Sequence, residues 1–323
     1  MDTCWRRFGP IIGWPSWVHP HAPAYAGPVA EGTPAAEVAV DGRLVRRLLR
    51  SQHPDLAELS LRRVGTGWDN VVYRLGPDLA VRLPRRELGA RLIESELRWL
   101  PELAARLPLP VPTPVRAGQP GEGYPWRWAV CRFVPGRALG ARTVPGPAGL
   151  RAAEQLAGFL TALHVAAPDD APRSPFRGVS LRQRDGSLRA ALADLPPHLR
   201  TPLQQAWSVA AQAPAHRGPG LWLHGDLHGL NLLSTDDRLT GVIDFGDLCA
   251  GDPATDLAVG WLALDSPART HLRRVLAPEE SAWARGRGWA LFLGVMFLAH
   301  SRDSPVNRDI GTRTLREVLA DHG

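Results

Sequence analysis

The stretch Leu221–Leu233, LWLHGDLHGLNLL, sets two histidines, an aspartate and an asparagine between apolar residues. Three readings compete for it. His224, Asp226 and His228 alternate along an extended chain and could form a metal cage. Asp226 and Asn231 could instead be the base and the ion ligand of a phosphoryl-transfer loop. The polar side chains could also do no more than satisfy a turn.

The next motif downstream separates them. VIDFGD places Asp244-Phe245-Gly246 thirteen residues after Asn231. A divalent ion on nucleotide phosphates takes a few hard oxygen ligands and keeps several waters. One carboxylate and one amide oxygen on adjacent short loops therefore suit a magnesium site. A second carboxylate near an acceptor hydroxyl, Asp226, can orient it and accept its proton. H-G-D-x-x-x-x-N followed by D-F-G matches the catalytic and metal loops of eukaryotic-like kinases. A cage of His224, Asp226 and His228 would leave Asn231 and the D-F-G element without a role.

The rest of the chain fits a bilobal enzyme. Its 323 residues can bury a large core and suggest two domains or one bilobal unit. No run nears the roughly 20 consecutive apolar residues that span a bilayer. Trp289–Ala299 is about half that length and reads as a buried helix, so no membrane partner is expected. Cys4, Cys131 and Cys249 are far apart with no CxxC pair, which argues against a disulfide framework and fits a reducing cytoplasm. The formal net charge is +6, and all 38 basic residues are arginine. They are scattered, whereas nucleic-acid binding calls for a basic stripe, so no nucleic-acid partner is expected. Between Leu221 and Asp265 the balance reverses, with eight aspartates against one arginine, a field suited to metal ions or cationic ligands.

Residues 1–35 are rich in Pro and Gly and read as a disordered arm; Pro10 and Pro15 interrupt the apolar patch that would otherwise suggest a signal peptide. Residues 36–134 read α-β-β-α-β-β. Asp41 is a plausible N-cap for a helix carrying Leu44, Val45, Leu48 and Leu49. LRRVGTGWDNVVYRL and DLAVRLPR read as strands joined by Gly76-Pro77-Asp78. A long helix follows, ELGARLIESELRWLPELAARL, and then the strand WRWAVCRFV. Residues 135–323 are mainly helical: GLRAAEQLAGFLTALHVA, residues 181–211 with a break at Pro196-Pro197, and segments around 257–264, 282–299 and 313–319. The expected fold class is α+β, a small β-rich N-lobe and a larger helical C-lobe with a ligand crevice between them.

WLHGDLHGLNLL…GVIDFGDLCAGDPATDLA closely resembles the signature of the aminoglycoside phosphotransferase family, which shares the protein-kinase fold. The likeness extends to GTGWDNVVYRL, AVRLP, IESELRWLPELA, FVPG and LAGFLTALH, from about Asp41 to the C-terminus. It implies Asp226 as the catalytic base, His224 as a histidine bracing the loop, and Asn231 and Asp244 as magnesium ligands. His228 reads as a loop hydrogen bond. Asp252, ahead of Pro253, reads as a helix cap, and Asp256 as a brace beneath the catalytic loop. Gly65, Gly67 and Asn70 belong to a nucleotide-covering loop. Arg82 takes the slot that kinases give to lysine, with a larger donor fork; Glu96 is its expected partner and Glu94 the competitor on another helix face. Arg132 and Phe133 lie in the inter-lobe link expected to meet adenine.

The implied activity is ATP- or GTP- and magnesium-dependent transfer of a γ-phosphate to a hydroxyl of a small molecule. An aminoglycoside-type antibiotic is the first expectation. A macrolide or another metabolite is the alternative, and a non-catalytic nucleotide-binding module is the reading from another class. The acidic stretch favours a cationic acceptor, with Asp247 and Asp265 as its expected contacts. Trp261, Trp283, Trp289, Phe292 and Phe297 read as core.

Overall fold

Asp41 caps the first helix as its sequence suggests: its Oδ1 accepts the Leu44 N–H at 2.8 Å. The structure, a computed structural model, describes residues 35–300 and 304–321. The expected N-terminal arm lies outside the described residues, Ala35 apart. Helix α1 (Gly42–Gln52) buries Leu44, Val45, Leu48 and Leu49 against a five-stranded antiparallel sheet. Its strands are β1 (Leu61–Thr66), β2 (Asn70–Leu75), β3 (Leu79–Pro84), β4 (Pro114–Gly118) and β5 (Trp128–Arg132), in the order β1-β2-β3-β5-β4. The stretch expected to be one strand from Leu61 to Leu75 is two. The chain reverses at Gly67–Asp69, where the Gly67 N–H donates to the Asn70 carbonyl at 2.8 Å, because Gly-Trp-Asp-Asn interrupts the period-2 pattern.

The pleat sorts the side chains by face. Val71, Tyr73, Leu75, Val81, Leu83, Trp128 and Val130 pack with α1 into the N-lobe core. Val72, Ala80 and Cys131 form a separate small cluster, and their parity is also that of Arg82. Helix α2 (Glu87–Ala104) follows β3, and its C-terminal Leu100 and Leu103 join the larger core of the second half.

That second half contains β6 (Arg137–Ala138), α3 (Gly146–Leu163), α4 (Asp185–Ala193), α5 (Pro197–Gln212), β7 (Leu221–Leu223), β8 (Leu232–Thr235), β9 (Arg238–Val242) and β10 (Cys249–Gly251). The short α6 (Ala254–Leu257) and α7 (Val259–Leu262) lead to α8 (Ser266–Leu276), α9 (Glu280–His300) and α10 (Pro305–Ala320). Trp261, Trp283, Trp289, Phe292 and Phe297 are all in the large core. Among the described residues no helix is long and apolar enough to cross a membrane. Helix α8 has no counterpart in the sequence reading, although Asp265-Ser266-Pro267 is a helix-start signal. Asp265 caps it, accepting the Ala268 N–H at 3.0 Å. Asp265, expected as an acceptor contact, thus has a capping role and is not among the residues that line the cleft between the sheet and the second half.

A segment without regular structure, Pro172–Gly178, is stitched to β10. The Ala250 N–H donates to the Pro172 carbonyl at 2.8 Å, and the Asp252 N–H to the Gly178 carbonyl at 2.9 Å. Gly178 and Gly251 touch backbone to backbone: a Cβ on Gly251 would lie 2.6 Å from the Gly178 Cα. Gly251→Ala should therefore cost about 1–3 kcal/mol, read as a lower urea midpoint with an unchanged slope; a wild-type midpoint would show that this approach can relax freely.

Candidate active site

Two ladders assemble the site. Strands β8 and β9 form a hairpin with Leu232 opposite Val242, closed by Asp236 and Asp237 at φ 49° and 57°. At its open end the Ile243 N–H donates to the Asn231 carbonyl at 2.9 Å, so Asn231 and Asp244 emerge side by side. Asp244 has φ 67°, a left-handed conformation that costs a non-glycine residue energy and recurs at functional sites. The second ladder pairs β10 with β7, Cys249 opposite Leu223. It brings the loop after β7 against Asp247: Gly225 has φ 83°, and a Cβ there would sit 2.6 Å from the Asp247 carbonyl. Only glycine fits.

Asp256, fully buried on α6, holds this loop as expected. Its Oδ2 accepts the His224 N–H and its Oδ1 the Gly225 N–H, each at 2.8 Å, and His164 Nε2 lies 3.1 Å from Oδ2. The His224 ring is fixed from both sides. Its Nδ1 accepts the Asp226 N–H at 3.2 Å, so Nε2 carries the proton and donates to the Ile243 carbonyl at 3.0 Å. Burial lowers its pKa and keeps the ring neutral. His228 Nδ1 likewise accepts the Leu230 N–H at 3.2 Å, leaving Nε2 to donate to Asp226 Oδ2 at 3.2 Å. With their ring nitrogens so engaged, the two histidines do not form the cage. Among the described residues no three His, Cys, Asp or Glu side chains gather as a metal site.

Burial would raise the pKa of Asp226, but His228, Arg177 and His224 outweigh it and hold the carboxyl below its usual value. The Asn231 amide is oriented by its Nδ2, which donates to the Asp226 carbonyl at 2.8 Å. Its Oδ1 is buried and has no partner among the described residues. Beside it, burial pushes the Asp244 carboxyl well above its usual pKa; Arg82 opposes this, while Glu96, Asp226 and Asp247 add to it. An unanswered amide oxygen next to a crowded carboxylate is a donor set that fits a hard divalent cation.

On the N-lobe side Arg82 and Glu96 form a two-pronged pair, 2% and 1% exposed, with Nη2 donating to Oε1 at 2.8 Å and Nη1 to Oε2. Glu94 is exposed, so Glu96 is the partner. Burial works against the Arg82 charge, and Glu96 more than compensates, raising its pKa. Gly65, Gly67 and Asn70 line a cleft of about 440 Å³ together with Asp226, Asp244 and Asp247. Arg132 and Phe133 are not among its lining residues. Their N–H groups are already engaged, Arg132 with the Thr113 carbonyl at 2.9 Å and Phe133 with that of Asp78 at 2.8 Å. The expected adenine contacts through those two amides are thus unavailable.

Sequence reasoning missed Arg177. It is 3% exposed, and its Nη2 lies 3.2 Å from Asp226 Oδ1 and 3.3 Å from Asp247 Oδ2. Burial pushes the Asp247 carboxyl up to about 6, with Arg177 opposing. The only sequence signal was Gly178, whose φ of 64° lets the chain turn Arg177 inward. The acidic stretch is also largely compensated within the protein. Asp252 Oδ2 accepts from Arg285 Nε at 2.6 Å and its Oδ1 from the Ala254 N–H at 3.0 Å. Asp256 serves the loop amides, Asp265 caps α8, and Asp236 and Asp237 sit in an exposed turn. Cys131 and Cys249 are buried with raised pKa values, as burial dictates, and supply no nucleophile.

The sequence matches the model of the phosphotransferase enzyme family, APH, over residues 60–289. No curated protein matches the chain. Among solved structures, the GDP complex of wild-type aminoglycoside 2'-phosphotransferase-IIIa is 24% identical over 88% of this chain and 100% of that one, with a TM-score of 0.69. A gentamicin complex of APH(2'')-IIa is 17% identical, covering 87% and 97%, with a TM-score of 0.58. The apoenzyme of macrolide 2'-phosphotransferase MphH from Brachybacterium faecium is 21% identical, covering 85% and 98%, with a TM-score of 0.54. These likenesses establish the kinase-like α+β fold. The family match spans most of the sequence, and the chain belongs to the phosphotransferase enzyme family.

Proposed function

We propose that the protein transfers the γ-phosphate of a nucleoside triphosphate, ATP or GTP, to a hydroxyl of a small molecule held in the cleft. The observation that carries this reading is the unpartnered Oδ1 of Asn231, on a residue whose carbonyl is hydrogen-bonded to the amide just before Asp244, with Asp226 hydrogen-bonded to the same side chain. Asn231 and Asp244 would hold magnesium, which would offset the charge of the phosphates. Gly65, Gly67 and Asn70 cover those phosphates, and Arg82, fixed by Glu96, adds a permanent cation. The adenine or guanine ring would lie between two apolar clusters that belong to neither large core: Val72, Ala80 and Cys131 on the sheet, and Val134, Leu233 and Ile243 in the second half.

Asp226 accepts a hydrogen bond from the acceptor hydroxyl and aims it. Its depressed pKa makes it a weak base, which suits a loose transition state whose charge sits on the transferring group. The presence of base, ion ligands and phosphate cation together speaks against a non-catalytic nucleotide module. The acceptor is a hydroxylated small molecule, with the aminoglycosides and macrolides of the relatives' names as the first classes to try. A cytoplasmic location accords with free thiols and a nucleotide co-substrate.

Asp226→Ala should lower turnover by roughly 10²–10⁴-fold while calorimetry still detects magnesium-nucleotide binding. Undiminished turnover would remove the base from the mechanism. Glu96→Ala removes the buried two-pronged partner of Arg82, so it should cost about 3–5 kcal/mol of stability. Arg82→Met combined with Glu96→Leu should restore the denaturation midpoint yet keep a raised nucleotide KM. Recovery of both would mean that the pair serves stability alone.

A further inference from the structure

We infer that Arg177 sets the charge of the acceptor: the pocket beside Asp226 takes a hydroxylated molecule with a broad apolar face and at most one amine, a macrolide-like acceptor, and disfavours polycationic amino sugars. This deepens, and rests on, the phosphotransferase reading above.

An ammonium leaving water needs a carboxylate or a set of dipoles in exchange. Four aspartates line the cleft, Asp69, Asp226, Asp244 and Asp247. Asp69 is paired with Arg86. Asp226 and Asp247 share the Arg177 guanidinium, at 3.2 and 3.3 Å. Asp244 is the proposed ion ligand. No carboxylate is left over for a second or third amine.

Two carboxylates on one guanidinium leave one net negative charge, enough for a single amine at the half-buried Asp247, and the backbone keeps Arg177 from making room for more. The Arg177 N–H donates to Ser174 Oγ at 3.1 Å, and the Gly178 N–H to Thr255 Oγ1 at 3.0 Å. Gly178 is wedged against Gly251. Arg173 lines the same cleft, as does Arg91, which Glu87 already pairs at 2.7 Å; a like charge at the mouth of a site disfavours the wrong ligand. The buried Nε–H of Arg177 has no partner among the described residues, a donor that an ether, carbonyl or hydroxyl oxygen can answer and an ammonium cannot. Leu88, Leu92, Pro172, Phe176 and Leu248 supply apolar walls, which reward a large aliphatic face over a fully hydrated sugar.

The test compares erythromycin, with one amine, and kanamycin, with several, as acceptors for the full-length protein, alongside calorimetry of each with the magnesium-ADP complex. Transfer to erythromycin should exceed transfer to kanamycin at least roughly tenfold in kcat/KM, as expected for a like-charge penalty of this kind. Arg177→Gln should bring the ratio toward one by improving kanamycin KM. Asp247→Asn, which leaves the guanidinium one carboxylate instead of two, should push the ratio further from kanamycin. These opposite shifts cannot arise from a general loss of folding. Preference for kanamycin in the unmodified protein, binding of neither acceptor, or an equal loss for both acceptors in Arg177→Gln with no shift in Asp247→Asn overturns the assignment of Arg177. Failure to bind either magnesium-ATP or magnesium-GTP overturns the phosphotransferase reading itself.

Discussion

The whole site hangs on one buried carboxylate. Asp256 gives one oxygen to the His224 amide and the other to the Gly225 amide, and hydrogen bonds to a charged group contribute roughly 1.5–3 kcal/mol each. Those two amides lie at the point where the chain leaves β7 and turns through a left-handed glycine. Once they are fixed, the His224 ring fixes the next amide, and the Asp226 side chain has one direction to take. The loop that carries the proposed catalytic aspartate is thus held in place before any ligand arrives, as preorganised catalysis requires.

A second constraint is electrostatic. Folding collects many aspartates into a small volume, and their mutual repulsion must be met locally. It is met by arginines that reach in from remote parts of the chain, Arg177 and Arg285, and by helix caps and loop amides. What remains is the crowded Asp244 carboxylate, displaced into a costly backbone conformation next to an amide oxygen without a donor. A crowded carboxylate and an unanswered amide oxygen on adjacent loops are where the proposed cation would be received.

Much of this was legible in the sequence, because short motifs report local chemistry. The spacing of Asp226, Asn231 and Asp244 already implied adjacent loops, and the β8–β9 hairpin register shows why: thirteen residues carry the chain out and back. Helix periodicity found α1, α2, α3 and the core aromatics. The losses were of two kinds. Strands of three residues such as β7 and β10 are too short to display a period. Long-range pairing leaves no local trace, so Arg177, placed by a segment without periodicity, could not be linked to Asp226. A charge count over the acidic stretch likewise cannot see where distant guanidiniums end up. The engagement of the Arg132 and Phe133 N–H groups was equally invisible, because an amide is available to a ligand only if no carbonyl of the fold has taken it.

Arg82 changes how such a protein can be detected. Reagents that capture nucleotide-binding enzymes from whole proteomes deliver an acyl or sulfonyl group to a primary amine beside the phosphates. In the proposed site that position holds a delocalised guanidinium locked to Glu96, and the sequence contains no lysine anywhere. Chemoproteomic surveys built on amine acylation would pass over this protein, and over any relative with the same exchange, however abundant or active it is in the cell.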